Sequence, residues 1–172
     1  VLSPEMKSTG EVMGIDFSTG IAYLKILIAC QINPPCLTKS KVFFSIDPDD
    51  FNDDDEIIPL VKDLIDLGFE LSTTPATTTY LYERGIKTNL VFMIGQGHPN
   101  ASDLIKENNI HWIVNIPSTG PSPKVDEIIM RAEAVADGIP IMTTLSGLAA
   151  AIEGFKALKR VERLDVCSIQ EY

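Results

Sequence analysis

From Lys41 to Lys159 the chain repeats one rhythm: a short apolar, β-prone run, then a segment with apolar residues at helical spacing. The pairs are KVFFSI with EIIPLVKDLIDLGF, FELST with TTTYLYERG, NLVFMI with SDLIKEN, HWIVNIP with VDEIIMRAEAVADG, and IPIMTTL with SGLAAAIEGFKALK. In the first helical segment, expected to start near Glu56, Ile57, Leu60, Val61, Leu64 and Ile65 fit one periodic face. Pro59 then falls in the opening turn, where its missing N–H costs nothing, and Gly68 stands where a C-cap belongs. Runs such as Ile113–Ile116 are apolar towards both sides, as in strands covered on two faces. Parallel strands joined by right-handed helical crossovers give a three-layer α/β/α domain. The last segment, LDVCSIQEY, can add a terminal edge strand.

The first 33 residues differ. EMKSTGEVMG is polar and punctuated by glycine, and STGIAYLKILIACQI then fits a helix through Ile21, Leu24 and Ile28. NPPCLTKS breaks it, because Pro34 and Pro35 cannot continue a helix. Residues 1–33 are therefore separated from 41–172 by a linker at 34–40. A chain beginning at Val1 reads as a piece of something longer.

In an open parallel sheet, ligands sit outside the carboxyl ends of the strands, where the strand order switches direction. The loop after the second strand, STTPATTTY, carries hydroxyls and helix-start N–H groups that can hold a phosphate or carboxylate, with Thr74 and Thr77 the residues best placed. The same residues also suit an N-cap and β-branched strand positions. Asn115 ends the fourth strand and PSTG follows, groups that suit either a polar ligand or a tight turn. Asp47–Glu56 holds seven carboxylates in ten residues without the glycine and spacing of an EF-hand; they suit a solvated loop and the start of a helix.

His98 and His111 are the only histidines, and neither has a partner at triad or metal-ligand spacing. No catalytic or metal-binding residue is assigned. A net charge of −10 argues against nucleic acid and anionic membrane surfaces as partners. No apolar run approaches the ~18 residues of a membrane span. Three cysteines without a CxxC arrangement, Cys30, Cys36 and Cys167, suit a reducing, cytoplasmic setting. A binding or regulatory domain is the reading these features favour.

Two sets of motifs carry a resemblance. PEMKSTGEVMG (Pro4–Gly14) resembles the end of the second ATP-grasp half of carbamoyl-phosphate synthase large chains. GFEL, TTPATT, YLYERGI, WIVNIPS, DGIPIMTTLSGLAAAIE and CSIQEY, in that order, resemble the carboxy-terminal allosteric domain of the same chains, which has the methylglyoxal-synthase-like fold. The resemblance implies a five-stranded parallel sheet in the order 3-2-1-4-5, with an effector pocket between strands one and four. It makes residues 1–33 the tail of the preceding synthetase domain and 41–172 the regulatory domain. The whole enzyme of that family is a ligase that makes carbamoyl phosphate for arginine or pyrimidine synthesis, using ATP with Mg or Mn. The region itself is implied to be regulatory, without a cofactor of its own. Implied partners are a small effector (a nucleotide, ornithine or a related molecule), the remainder of the large chain, the glutaminase small subunit and a second copy in a homo-oligomer. The other reading is a vestigial pocket on a packing module.

Carried over residue by residue, the resemblance places Ser45, Thr74, Thr77, Asn115 and Thr143 at effector-pocket positions. Ser118 stands near the family's hydroxyl after strand four, whose own place is taken by Pro117. Asp126 matches an acidic residue facing a ribose, and Ile129 and Met130 can pack a base. Two lysines of bacterial relatives fall at about Asp54 and at Met93. Each charge-assisted phosphate contact contributes about 1.5–3 kcal/mol, so their loss argues against tight binding of nucleoside monophosphates. Methylglyoxal synthase activity is not expected, since no Gly-Gly-Asp run is present.

Overall fold

The sheet is built from five parallel strands: β1 (Lys41–Ser45), β2 (Glu70–Thr73), β3 (Asn89–Leu90), β4 (Trp112–Asn115) and β5 (Ile141–Met142). Their order is β3-β2-β1-β4-β5, as expected. The structure is a computed structural model and describes residues 10–30, 32, 40–51, 54–117, 125–160, 164 and 169–171. Helices α1 (Thr19–Ala29), α2 (Asp54–Leu67), α3 (Pro75–Glu83), α4 (Ala101–Lys106), α5 (Val125–Ala136) and α6 (Leu145–Leu158) cover the sheet.

The chain moves outward from β1 to β3, then returns past β1 and moves the other way through β4 to β5. Right-handed crossovers on opposite legs must put their helices on opposite faces. The two cores agree. Val42, Phe44, Trp112 and Val114 point to one face, where they pack with Ile57, Val61, Leu64, Leu81 and Phe155 of α2, α3 and α6. Phe43 and Ile113 point to the other, against Ala101, Leu104, Ile105, Met130 and Ala134 of α4 and α5. Alternation along β1 and β4 thus sorts side chains between two dry layers, and each fully buried aliphatic contributes about 1.5–3 kcal/mol. Phe69, Trp112 and Phe155 form an aromatic triangle in the larger layer, with centroids 5.6–6.0 Å apart.

α1 joins that larger layer. Its Leu24 is fully buried, and the helix crosses α6 at a pair of glycines. A Cβ on Gly20 would sit 2.4 Å from the Gly154 nitrogen, and one on Gly154 would sit 2.6 Å from the Gly20 carbonyl oxygen. Two backbones can come this close only where neither residue has a side chain.

Three local expectations are corrected. α2 begins at Asp54 rather than near Glu56, so Pro59 lies inside the helix and not in its opening turn. The apolar runs NLVFMI and IPIMTTL each form only two residues of strand, because β3 and β5 are edges with a single ladder neighbour. Ile169–Glu171 forms a 3-10 turn; the rest of the segment expected as a sixth strand lies largely outside the described residues. No described helix is long and apolar enough to cross a membrane.

Candidate functional site

The strand order reverses between β1 and β4, and a cleft of about 260 Å³ opens there at the carboxyl ends of the strands. Ser45 and Asn115, adjacent in the β1–β4 ladder, form its floor. Thr74, Pro75 and Ala76 at the start of α3 bound one side. Asp126, Glu127 and Met130 of α5 bound another. Phe92, Met93, Ile94 and Gln96, in the loop that follows β3, complete it with Phe43, Ile46, Asp47 and Ala101.

Six of the residues singled out from the sequence therefore meet in one cleft: Ser45, Thr74, Met93, Asn115, Asp126 and Met130. Thr77 stands behind the lining and is fully buried. Its hydroxyl donates to the Ile46 carbonyl at 3.0 Å, accepts from the Ile46 N–H at 3.1 Å and lies 3.0 Å from the Thr74 hydroxyl. One proton and two lone pairs are thereby occupied, so Thr77 clamps the end of β1 to α3. Since the Thr77 proton goes to Ile46, the Thr74 hydroxyl donates to Thr77, and what Thr74 offers a ligand is its lone pairs. Ile129, 38% exposed, and Thr143, exposed after β5, lie outside the lining. Ser118 lies outside the described residues.

The start of α3 differs from an ordinary helix start. Thr74 occupies the N-cap position with extended backbone, yet its side chain makes no capping hydrogen bond. Ser18, Asn100 and Thr144 all cap their helices with the side chain. Pro75 has no N–H, so the N–H groups of Ala76 and Thr77 are the free donors of the first turn, with no partner among the described residues. Uncapped N–H groups and the positive end of the helix dipole suit an anionic or carbonyl oxygen.

Arg131 is the side chain behind the cleft that the sequence did not reveal. It donates to the Asn115 side-chain oxygen twice, from Nε at 2.9 Å and from Nη2 at 2.6 Å. It also lies 3.6 Å from the Glu127 carboxylate one turn earlier. Asn115 is only 1% exposed, and its carboxamide nitrogen has no partner among the described residues. The signal available in the sequence was the i, i+4 pair Glu127–Arg131 on the helix that also carries Asp126 and Met130.

Lys and Arg side chains are absent from the lining among the described residues, whereas Asp47, Asp126 and Glu127 are present. No cluster of metal-ligating side chains occurs among the described residues. Beyond the cleft, His98 meets Asp103 at 2.5 Å, and Asp103 also accepts from the Asn100 N–H in the capping box of α4. The Asn100 N–H, with His98 second, holds the Asp103 carboxyl below its usual range.

Residues 56–143 match the model of the MGS-like domain family. Across all 172 residues the chain is 40% identical to the carbamoyl phosphate synthase large chain of Archaeoglobus fulgidus, and covers 15% of that protein. It is 38% identical over 159 residues to the carbamoyl phosphate synthase large chain, C-terminal section, of Methanopyrus kandleri, which takes in 92% of this chain and 28% of the relative. The corresponding section from Aquifex aeolicus is 35% identical over 175 residues, with 99% of this chain and 32% of the relative covered. The chain thus spans between about one seventh and one third of these relatives.

Proposed function

The chain belongs to the MGS-like domain family, and on that premise we propose that it is the carboxy-terminal regulatory domain of a carbamoyl phosphate synthase large chain. The cleft between β1 and β4 is its effector site. One observation carries this reading: the Asn115 carboxamide, whose N–H₂ group has no partner among the described residues, and an uncapped helix start line the same opening. Packing alone gives no reason to turn both towards the cleft and pair neither within the protein.

In this reading residues 1–33 continue a preceding synthetase domain. The ATP- and Mg- or Mn-dependent ligase chemistry belongs to the rest of the large chain, with glutamine hydrolysis on a small subunit in the cytoplasm. This region does no chemistry itself and reports effector occupancy to the synthetase, in the service of arginine or pyrimidine synthesis. Calorimetry with UMP, IMP, ornithine and N-acetylglutamate tests the site. Saturable binding by one of them, lost in Thr74→Ala, is the expected result. Binding by none would remove the effector reading.

A second reading, a vestigial pocket on a packing module, is favoured by a different observation. Val125, Ile128, Ile129 and Val135 expose an apolar stripe on α5, 38–73% accessible. Concentration-dependent association of the chain, abolished by Ile128→Glu and indifferent to all four ligands, is what that reading requires.

A further inference from the structure

The effector reading leaves open what charge the cleft accepts, and Arg131 bears on that directly. A guanidinium has donors only, so the Asn115 atom that it meets twice is the carbonyl oxygen. The carboxamide is thereby locked, and what Asn115 offers the cleft is its N–H₂ group. With the Ala76 N–H, the cleft presents neutral donors to an incoming oxygen.

Full positive charge is held back. Arg131 stands one side chain behind the lining, and Glu127 at 3.6 Å balances part of it. Asp47 and Asp126 also border the opening. A helix start adds the equivalent of about half a charge. Neutral dipoles and half a charge can receive a singly charged planar group; a phosphate dianion would meet no cation and at least two carboxylates among the described lining residues.

We propose that Arg131 is a positioning residue that, by locking Asn115 with its N–H₂ group towards the cleft, makes this a site for a ligand bearing a carboxylate and not a phosphate. The proposal rests on the effector-site reading and adds the ligand's chemical class.

The test is a titration of the ¹⁵N-labelled 172-residue chain with sodium acetate and with methyl phosphate at matched ionic strength. It is run at about pH 8, well above the second ionisation of a phosphate monoester near about 6. Acetate is expected to shift the Asn115 side-chain amide and the Ala76 backbone amide saturably, with methyl phosphate about tenfold weaker, the effect of one charge-assisted contact. Arg131→Gln should move the ligand-free Asn115 side-chain resonances and weaken acetate about tenfold, while β1 and β4 backbone amides stay in place. Arg131→Lys, which keeps a cation without the fork, should recover part of that loss. Methyl phosphate binding as tightly as acetate overturns the ligand class; if Thr74→Ala abolishes that binding, the effector reading survives. An Asn115 response unchanged in Arg131→Gln overturns the positioning role. Silence from both amides with both anions overturns the proposal and the effector reading together.

Discussion

The α1–α6 seam and the β1–β4 cleft solve opposite problems. At the seam every ångström is used: Gly20 and Gly154 let two backbones meet where a single methyl group would collide. At the cleft the chain leaves about 260 Å³ unfilled and sets around it donors with no partner among the described residues. Dense packing tolerates no added atom, whereas an open, donor-lined site is stable only because a neighbouring clamp carries the structural load. That clamp is Thr77, buried behind the lining and tied to both ends of the Ile46 peptide. Rigidity and vacancy are thus one side chain apart.

The largest way to break the contrast is to put bulk in the seam. Gly20→Val should destabilise the chain by upwards of about 3 kcal/mol, because its Cβ meets Gly154 backbone at 2.4 Å and neither helix can retreat without exposing Leu24. The denaturant midpoint reads this directly. Gly85→Ala, where a Cβ meets nothing within 4 Å but φ is +78°, should cost only the smaller backbone strain, about 1 kcal/mol. Comparable losses at both positions would refute the crowding account.

Next in size is the clamp. Thr77→Val keeps the volume and removes the hydroxyl, leaving the Ile46 N–H and carbonyl without their partner. A loss of about 2–4 kcal/mol is expected, the lower part of the sum for two buried groups at about 1–3 kcal/mol each. Asn115→Ala should cost less, about 1–2 kcal/mol, since it frees the partly exposed Arg131 and removes an amide whose nitrogen had no partner. Thermal melts of the two variants side by side sharpen the distinction between a residue that holds the site and one that serves it. Equal losses would mean that Asn115 is as structural as Thr77.

How much of this the sequence showed follows the same division. The alternation of β-prone and helical runs was legible because both periods are local, and the resemblance supplied the strand order. Thr74 and Asn115 were legible as strand-end residues, since their place depends only on where strands stop, and the resemblance added Ser45. The seam was not legible: Gly20 and Gly154 are far apart in sequence, and nothing about either glycine announces its partner. Thr77 was placed correctly in the chain, but the direction of its hydroxyl depends on the Ile46 peptide of another strand. Arg131 acts on a residue 16 positions away, across a strand-to-helix connection, so its role appears only when β4 and α5 pack. Strand lengths at the edges failed for a related reason. In NLVFMI, Phe92 bridges Asn100 while Met93 and Ile94 turn into the cleft, so an apolar run that reads as strand becomes wall.

The smallest effect concerns the loop that leads from that wall into α4. Asp103 accepts from the Asn100 N–H and from His98, and the first of these contacts does most to depress its pKa. A carboxyl whose folded pKa lies below its unfolded value stabilises the fold above the unfolded pKa, near about 3.9, and stops doing so as pH falls through the folded value. The melting temperature of Asp103→Asn should therefore fall below that of the unmodified chain at neutral pH, with the gap closing only under acid conditions. His98→Ala should reproduce a smaller part of the gap, because the Asn100 cap survives it. If His98→Ala instead equals Asp103→Asn, the exposed imidazole and not the helix cap is what fixes this edge of the cleft, and the donor-lined opening would depend on a surface contact that its other walls do not need.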